Sequence, residues 1–512
     1  MRLRLAELIA ALSLATDLGL GLPQEHVLRQ CRIALGLGER LGLDEADRAA
    51  LYYVAMLAWV GCTADSHELS AQFGDEIALR ADAHRVDLAG PPMMGFMLRR
   101  VGSGRPPLRR ARMAATLVAT RGHGATEAMT AHCHVASTIA GRLGLGPEVQ
   151  EPLLHVFARW DGKGIPRGAS GEELPLAIRL AHIASIAEVH HQSGGLDAAI
   201  AVARDRSGGQ FDPRLVEAFA ANARELLEGL DEESSWDAVI AAEPGLAKAL
   251  AGDELDAALE AVADFGDLKS PWFTGHSRGV ARLAAAAAKE AGLAEDAATE
   301  LRRAALLHDL GRTGVPNTIW DKPGPLTDAE RERVRLHPYL TERMLARPEA
   351  LAQLGAIAAC HHERLDGSGY HRSLPGSALS PAARMLAAAD VYQAMTEARP
   401  HRAALGPDEA AAELRAEVKA GRIDGDAAED VLTAAGHRRA GTRERARPAG
   451  LTARELEVLL LVARGASSRA VAGELVIAEK TARNHIERIY TKLGVSTRAE
   501  ASLYAMRQGL VD

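Results

Sequence analysis

Aromatic residues are scarce in this chain: Phe, Trp and Tyr together make up 4% of its 512 residues. Strands draw on aromatic and β-branched side chains in alternation, and no clear alternating run is present. Cysteine is as sparse. Cys31, Cys62, Cys133 and Cys360 stand apart with no CxxC spacing, which excludes a disulfide framework and fits free thiols in a reducing compartment. Long apolar runs are missing too. No stretch reaches about 18 residues without a charge or glycine, the length a membrane span needs. The start, Met1-Arg-Leu-Arg before an apolar run, has Glu7 inside that run and no secretory cleavage site after it. A cytoplasmic protein with no membrane partner is therefore expected. Positive charge is not in excess either: a formal net charge of −8 excludes a chain that coats nucleic acid along its length, so any DNA contact must be local.

What is present is Ala, Leu, Arg and Glu at helical spacing, punctuated by Gly and Pro, so the expected fold class is all-α. The length exceeds one ordinary core and implies two to four domains. The clearest break is 437–450, HRRAGTRERARPAG, with five arginines against one glutamate and no apolar periodicity, which reads as an exposed basic linker. A softer break lies at Asp264–Pro271. An internal repeat is also visible. HVFARWDGKGIP (155–166) aligns with CHHERLDGSGYH (360–371) at an offset of 205, which also pairs His132 with His337 and Arg179 with Arg384. Upstream, an offset of 250 pairs His26 with His276 and Gly61 with Gly311. The first copy thus carries an insertion of about 45 residues, within 65–124.

The second copy gathers His276, His308, Asp309, His337, His361, His362 and Asp390. Neutral imidazoles and carboxylates suit two borderline divalent ions such as iron or manganese, and one carboxylate can bridge them. A lone histidine on a helix is usually structural, and His190, His191, His401 and His437 are left to that reading. Seven candidate ligands in one 115-residue stretch are harder to dismiss.

His276, HDLGR (308–312), His337, HHERLDGSGY (361–370) and DVYQAMTEARPHR (390–402) resemble the HD-GYP family of HD phosphohydrolases. That family consists of helical bundles that hold two or three metals and hydrolyse cyclic di-GMP or related nucleotides. The resemblance implies that Asp309 bridges two ions, with His276, His308 and Asp390 completing one and His337, His361 and His362 the other. Asp309, His308 and Arg312 would form the catalytic centre, and Arg312, Tyr370, Arg399 and Arg402 would contact substrate phosphates and bases, for which guanidinium forks are suited. Four positions depart from the family pattern. Trp272 stands where three-metal members have a carboxylate, and Arg312 replaces the usual lysine. His371 replaces the proline of the GYP signature, which frees a backbone angle, and His401 replaces a later tyrosine.

In the first copy the His-Asp dyad becomes Ala58-Trp59, the His-His-Glu becomes Val156-Phe157-Ala158, and the last aspartate becomes Ser185. Only His26 and His132 survive of the seven ligand positions, while Asp161, Gly162 and Gly164 of the turn remain. Apolar groups cannot hold a cation, so this copy is expected to be metal-free. It is either a packing partner for the second copy or a pocket for a small ligand that the insertion covers.

At the carboxy terminus, Leu456, Leu459, Leu460 and Val462 give one helix an apolar face, and Ser467 or Ser468 can cap a second. The turn 476–478 leads to a third helix over about 479–493 with Ile486, Ile489 and Leu493 inward, leaving Lys480, Thr481, Arg483, Asn484, Arg488 and Lys492 outward. Cations for phosphates and amide groups for base edges are what a major-groove helix presents. This end resembles the LuxR-type helix-turn-helix, which implies Lys480, Thr481 and Asn484 as groove contacts and Lys492 as a phosphate contact. Ala478 stands where that family has a capping serine.

The expected order is a degenerate HD-GYP-like domain (1–226), connecting helices (227–265), a metal-binding HD-GYP-like domain (266–436), the basic linker (437–449) and a four-helix LuxR-type domain (450–512). The expected function is a homodimeric, one-component regulator of promoter DNA. Its second copy either hydrolyses a nucleotide or cyclic dinucleotide, or only senses metal or ligand.

Overall fold

The computed structural model describes all residues except 121, 231–233, 246–247, 439–450, 464, 476, 496 and 508–512. The basic linker expected at 437–449 falls almost wholly outside the described residues. The chain divides into two compact units, 1–438 and 439–512. Among the described residues the only strands are Arg2–Arg4 and Ala249–Ala251, paired antiparallel with Leu3 opposite Leu250. The remaining regular structure is helical, and no described helix is long and apolar enough to cross a membrane.

The repeat is built into the first unit. Helices His26–Arg40 and Glu45–Leu57 lead to a 3-10 turn at Val60–Thr63. At the same 250-residue offset, helices His276–Glu290 and Glu295–Leu307 lead to a 3-10 turn at Leu310–Gly314. Each turn presses a glycine onto the helix carrying the next histidine shared by the two copies, His132 or His337. A Cβ on Gly61 would fall 2.1 Å from the His132 carbonyl oxygen, and one on Gly311 2.0 Å from that of His337. No other residue tolerates so close an approach. Both first helices also begin alike: a buried carboxylate, Asp17 or Asp267, accepts the backbone N–H of Val27 (3.1 Å) or Ser277 (2.9 Å), satisfying a first-turn donor.

Each copy's leading helix packs on its own copy and on the other. Helix Leu5–Leu20 packs on the turn 310–314 and on helix His337–Leu345 of the second copy, while helix Gly252–Asp267 packs on the turn 60–63 and on helix His123–Arg142 of the first. The arrangement is that of an isologous interface within one chain. Its chemistry follows from Leu5–Leu20, whose residues are buried on nearly every side, as expected of a helix apolar all round. Helix Gly252–Asp267 lies in the stretch read from sequence as connecting helices, yet it packs against the helices 276–290 and 295–307 that follow it. The soft break expected at 264–271 is likewise no surface linker: Lys269 and Ser270 are fully buried there.

The second unit has helices Ala453–Ala463, Ser468–Glu474, Glu479–Leu493 and Arg498–Arg507 around a core that includes Val458, Leu459, Val462, Val471, Ala482 and Ile489. Ser467 caps the second helix, its hydroxyl accepting the Ala470 N–H at 3.2 Å. Ala478 starts the third helix with no side-chain cap, which costs about 1 kcal/mol relative to serine.

Candidate metal centre and nucleic-acid interface

Three histidines of the second copy are oriented by the same device. His308 Nδ1–H donates to the Ala305 carbonyl (2.7 Å), His337 to Val334 (2.6 Å) and His361 to Ala358 (2.7 Å), each three residues back along the chain. Fixing the proton on Nδ1 leaves Nε2 as a lone pair aimed inward. His276 is held instead by Glu397, whose Oε2 lies 2.8 Å from its Nδ1.

The inward atoms form two groups, His276, His308, Asp309 and Asp390 in one and His337, His361 and His362 in the other, with ligand atoms in each group within 4.8 Å of one another. Asp309 lies between them. Its Oδ2 is 2.8 Å from His308 Nε2 and 3.4 Å from His276 Nε2, while its Oδ1 is 3.3 Å from His337 Nε2 and 3.5 Å from His361 Nε2. Asp390 Oδ1 is 3.2 Å from His276 Nε2, and its Oδ2 is 3.8 Å from His362 Nδ1. All seven ligand candidates are therefore brought together.

Two observations say that this set fits cations. His337 Nε2 and His361 Nε2 face each other at 3.1 Å while both Nδ1 atoms carry the proton, so two lone pairs meet with no hydrogen between them. Both Asp309 oxygens and His308 Nε2 are also buried without a well-aligned hydrogen bond, with Arg312 the one cation paired to Asp309, and buried lone pairs of this kind cost free energy unless a cation satisfies them. Charge agrees. Burial opposes protonation of His276, but Asp309, Asp390 and Glu397 outweigh it and raise the imidazole to about 10. Burial similarly loses to Asp309 and Asp390 at His308, raised to about 9. The carboxylates thus demand positive charge, which bound cations would supply in place of protons. Burial lowers His361 to about 4 and holds His362 well below the ordinary imidazole value, so both are neutral ligands at pH 7.

The loop 363–374 is shaped by Glu363, a buried carboxylate that accepts the N–H of Arg372 (2.7 Å) and of Leu374 (2.9 Å). It lays the Tyr370 ring on His362, with centroids 4.7 Å apart. The Tyr370–His371 peptide is cis, as is Ile165–Pro166 in the first copy, so the loop keeps that form without the proline. Arg312 is buried, paired with Asp309 and lying 4.2 Å over the Phe273 ring, with Nε and Nη1 unpartnered. Arg399 Nη2 is 2.8 Å from Glu397 Oε2 and 3.5 Å from His276 Nδ1. Arg402 departs from expectation. Its guanidinium donates to the carbonyls of Met395, Glu397, Ala403 and Ala394, tying down the end of helix Pro381–Met395 where carbonyls lack helical partners. Arg312, Tyr370 and Arg399 border the centre, and Arg402 braces it from behind.

Glu397 was missed in the sequence, although it lies only seven residues after Asp390. Glu397→Gln is expected to weaken metal affinity about 10- to 100-fold, the usual effect of losing a carboxylate behind a ligating imidazole. Metal titration of the apo chain measures it.

On helix Glu479–Leu493, Ala482 and Ile489 are buried while Lys480, Thr481, Arg483, Asn484, Arg488 and Lys492 are exposed, as the spacing requires. Arg483 pairs with Glu479 at 2.7 Å, and Lys492 with the buried Glu455 at 2.6 Å. Lys492 therefore ties this helix to the first.

A helical bundle with a two-carboxylate, five-histidine centre has the side chains of an HD-type site and could hold metal. The HD domain family model matches residues 260–427, and that of the bacterial regulatory proteins of the luxR family matches 449–505. A 3'3'-cGAMP-specific phosphodiesterase of Vibrio cholerae is 31% identical over 413 residues, 80% of this chain and 90% of that protein. A cyclic di-GMP phosphodiesterase response regulator of Xanthomonas campestris is 38% identical over 140 residues, 27% of this chain and 37% of that protein. The crystal structure of a cyclic GMP-AMP-specific phosphodiesterase of V. cholerae superposes with a TM-score of 0.60 at 27% identity, covering 85% of this chain and 98% of that one. The chain belongs to the HD-GYP family of HD-domain phosphohydrolases and ends in a LuxR-type domain.

Proposed function

We propose that this chain is a transcriptional regulator that hydrolyses a cyclic dinucleotide in its second HD-type copy and binds promoter DNA through its last four helices. The observation that carries the reading is the Asp309 carboxylate set between two groups of inward-facing ligand atoms. The related phosphodiesterases act on 3'3'-cGAMP or cyclic di-GMP, and those two are the substrates we assign first.

His276, His308, Asp309 and Asp390 would hold one divalent ion, and His337, His361 and His362, with the other oxygen of Asp309, a second. When bound, such a pair supplies a water of lowered pKa and stabilises charge on phosphate oxygens. Hydrolysis adds that water across one P–O bond, leaving a phosphate monoester and a ribose hydroxyl. Arg312 has two unpartnered guanidinium nitrogens and can donate to a phosphate oxygen beside Asp309. Tyr370, tilted 32° against the His362 ring, offers a face for a base.

A second reading has specific support: Arg312 is drawn onto Asp309 and Arg402 is engaged at a helix end, which leaves few cations for substrate. In that reading the centre holds metal and senses a ligand without turnover. Stripping the purified chain with a chelator and restoring iron or manganese separates the two. Turnover of 3'3'-cGAMP or cyclic di-GMP that disappears and returns with the metal supports catalysis. Metal rebinding with no hydrolysis of either dinucleotide establishes the sensor.

Lys480→Ala with Asn484→Ala is expected to abolish promoter binding in a mobility-shift titration while metal content and turnover stay at wild-type levels. Phosphate contacts make such binding steeply salt-dependent, and two chains on paired half-sites would supply the affinity that one small module lacks. Unchanged binding by the double variant overturns the groove assignment.

A further inference from the structure

The first copy keeps the pocket whose ligands it has lost. Where the second copy has Asp309, His361 and His362, the first has Trp59, Val156 and Phe157, and these border a cavity of about 640 Å³. The insertion roofs it with apolar side chains, among them Phe73, Leu79, Phe96 and Met97. The volume is that of an ordinary small-molecule site.

Its polar groups define what fits. His84, only 6% exposed, donates its Nδ1–H to the Arg80 carbonyl at 2.8 Å, and its buried Nε2 has no partner. The imidazole is neutral, since burial pushes it down to about 4; Nε2 is therefore an acceptor waiting for a donor. The two buried guanidinium groups of the lining are already engaged. Arg80 is held by Asp65 and by the carbonyls of Gly19 (3.1 Å) and Cys62 (2.5 Å), and Arg159 by Asp87 and Asp161 (3.2 Å). A phosphate group deep in the cavity would find neither of these cations free; the other two cations of the lining, Lys163 and Arg167, are exposed, which separates the buried part of this cavity from the nucleotide chemistry of the second copy.

We infer that the first copy is a binding site for a neutral, mainly apolar small molecule carrying an N–H or O–H group that donates to His84 Nε2. The apolar walls supply affinity by burial, and the unpartnered His84 Nε2 orients the ligand.

N-phenyl-1-naphthylamine is neutral, apolar and carries one N–H, so it serves as the probe with the full-length protein. Its fluorescence should rise saturably at one site per chain. Ala128→Trp and Met97→Trp, which fill the cavity, should each weaken binding by at least about tenfold, and His84→Phe, which keeps the ring and removes the acceptor, by about fivefold. A comparison that needs no substitution uses 1-anilinonaphthalene-8-sulfonate, nearly the same molecule with an anionic group. It should bind wild type at least about tenfold more weakly. Absence of saturable binding, retention of affinity in both filled variants at wild-type melting temperature, or equal affinity for the sulfonate would overturn the assignment.

Discussion

Asp309→Ala is expected to bind neither metal stoichiometrically and to lose turnover by at least about a thousandfold, some 4 kcal/mol of transition-state stabilisation. The two oxygens of Asp309 point separately at His276 and His308 and at His337 and His361, whereas Asp390 reaches the second group only at His362, 3.8 Å away. The substitution also leaves Arg312 without its ion-pair partner. Asp309→Asn separates these effects, because an amide keeps the shape and one weak oxygen ligand but removes the charge. We expect it to retain partial metal content with turnover as low as the alanine variant. Metal analysis beside a dinucleotide assay reads both quantities. An alanine variant with two metals and near-normal turnover would remove Asp309 from the bridging position and, with it, the proposed chemistry.

The clustering of the seven candidate ligands was legible because their chemistry is written in residue types. Histidine and aspartate at His276, 308–309, His337, 361–362 and Asp390 carry their chemistry wherever the backbone places them, and the helical repeat supplied the placement. The faces of helix Glu479–Leu493 were legible for a similar reason, since its buried Ala482 and Ile489 and its exposed cations follow from the period of one helix. What stayed hidden depends on backbone atoms and distant partners. The three Nδ1–carbonyl bonds that aim the imidazoles involve unremarkable residues, Ala305, Val334 and Ala358. The resemblance placed Arg402 among the substrate contacts, and residue type does not record which carbonyls at a helix end lack partners. Residues 264–271 read as a soft break, because the partner that permits burial of Lys269 lies 193 residues away in sequence.

That partner is Glu76, on the inserted helix Glu76–Ala83, and its removal is expected to be the most destabilising single change in the first unit. Lys269 Nζ is 2.6 Å from Glu76 Oε1, and both side chains are essentially inaccessible. The Asn317 backbone N–H donates to both Glu76 oxygens at 3.1 Å, and Asn317 Nδ2 donates to the Lys269 carbonyl at 2.6 Å. The insertion of the first copy is thereby joined to the second copy just after the turn that carries Arg312. Glu76→Ala strands a buried ammonium and a buried N–H, and breaking such a pair from one side costs about 3–5 kcal/mol. That is a large share of the ~5–15 kcal/mol that keeps a protein folded. Glu76→Gln combined with Lys269→Met removes both charges, keeps an acceptor for Asn317, and should recover most of the loss, since a buried pair replaced by neutral groups of similar volume is often close to neutral. Urea denaturation of the wild type, the single variant and the double variant reads the difference. A single-variant cost below about 1 kcal/mol, the range of exposed pairs, would mean that water reaches Lys269 and that the two copies are not locked together at this point.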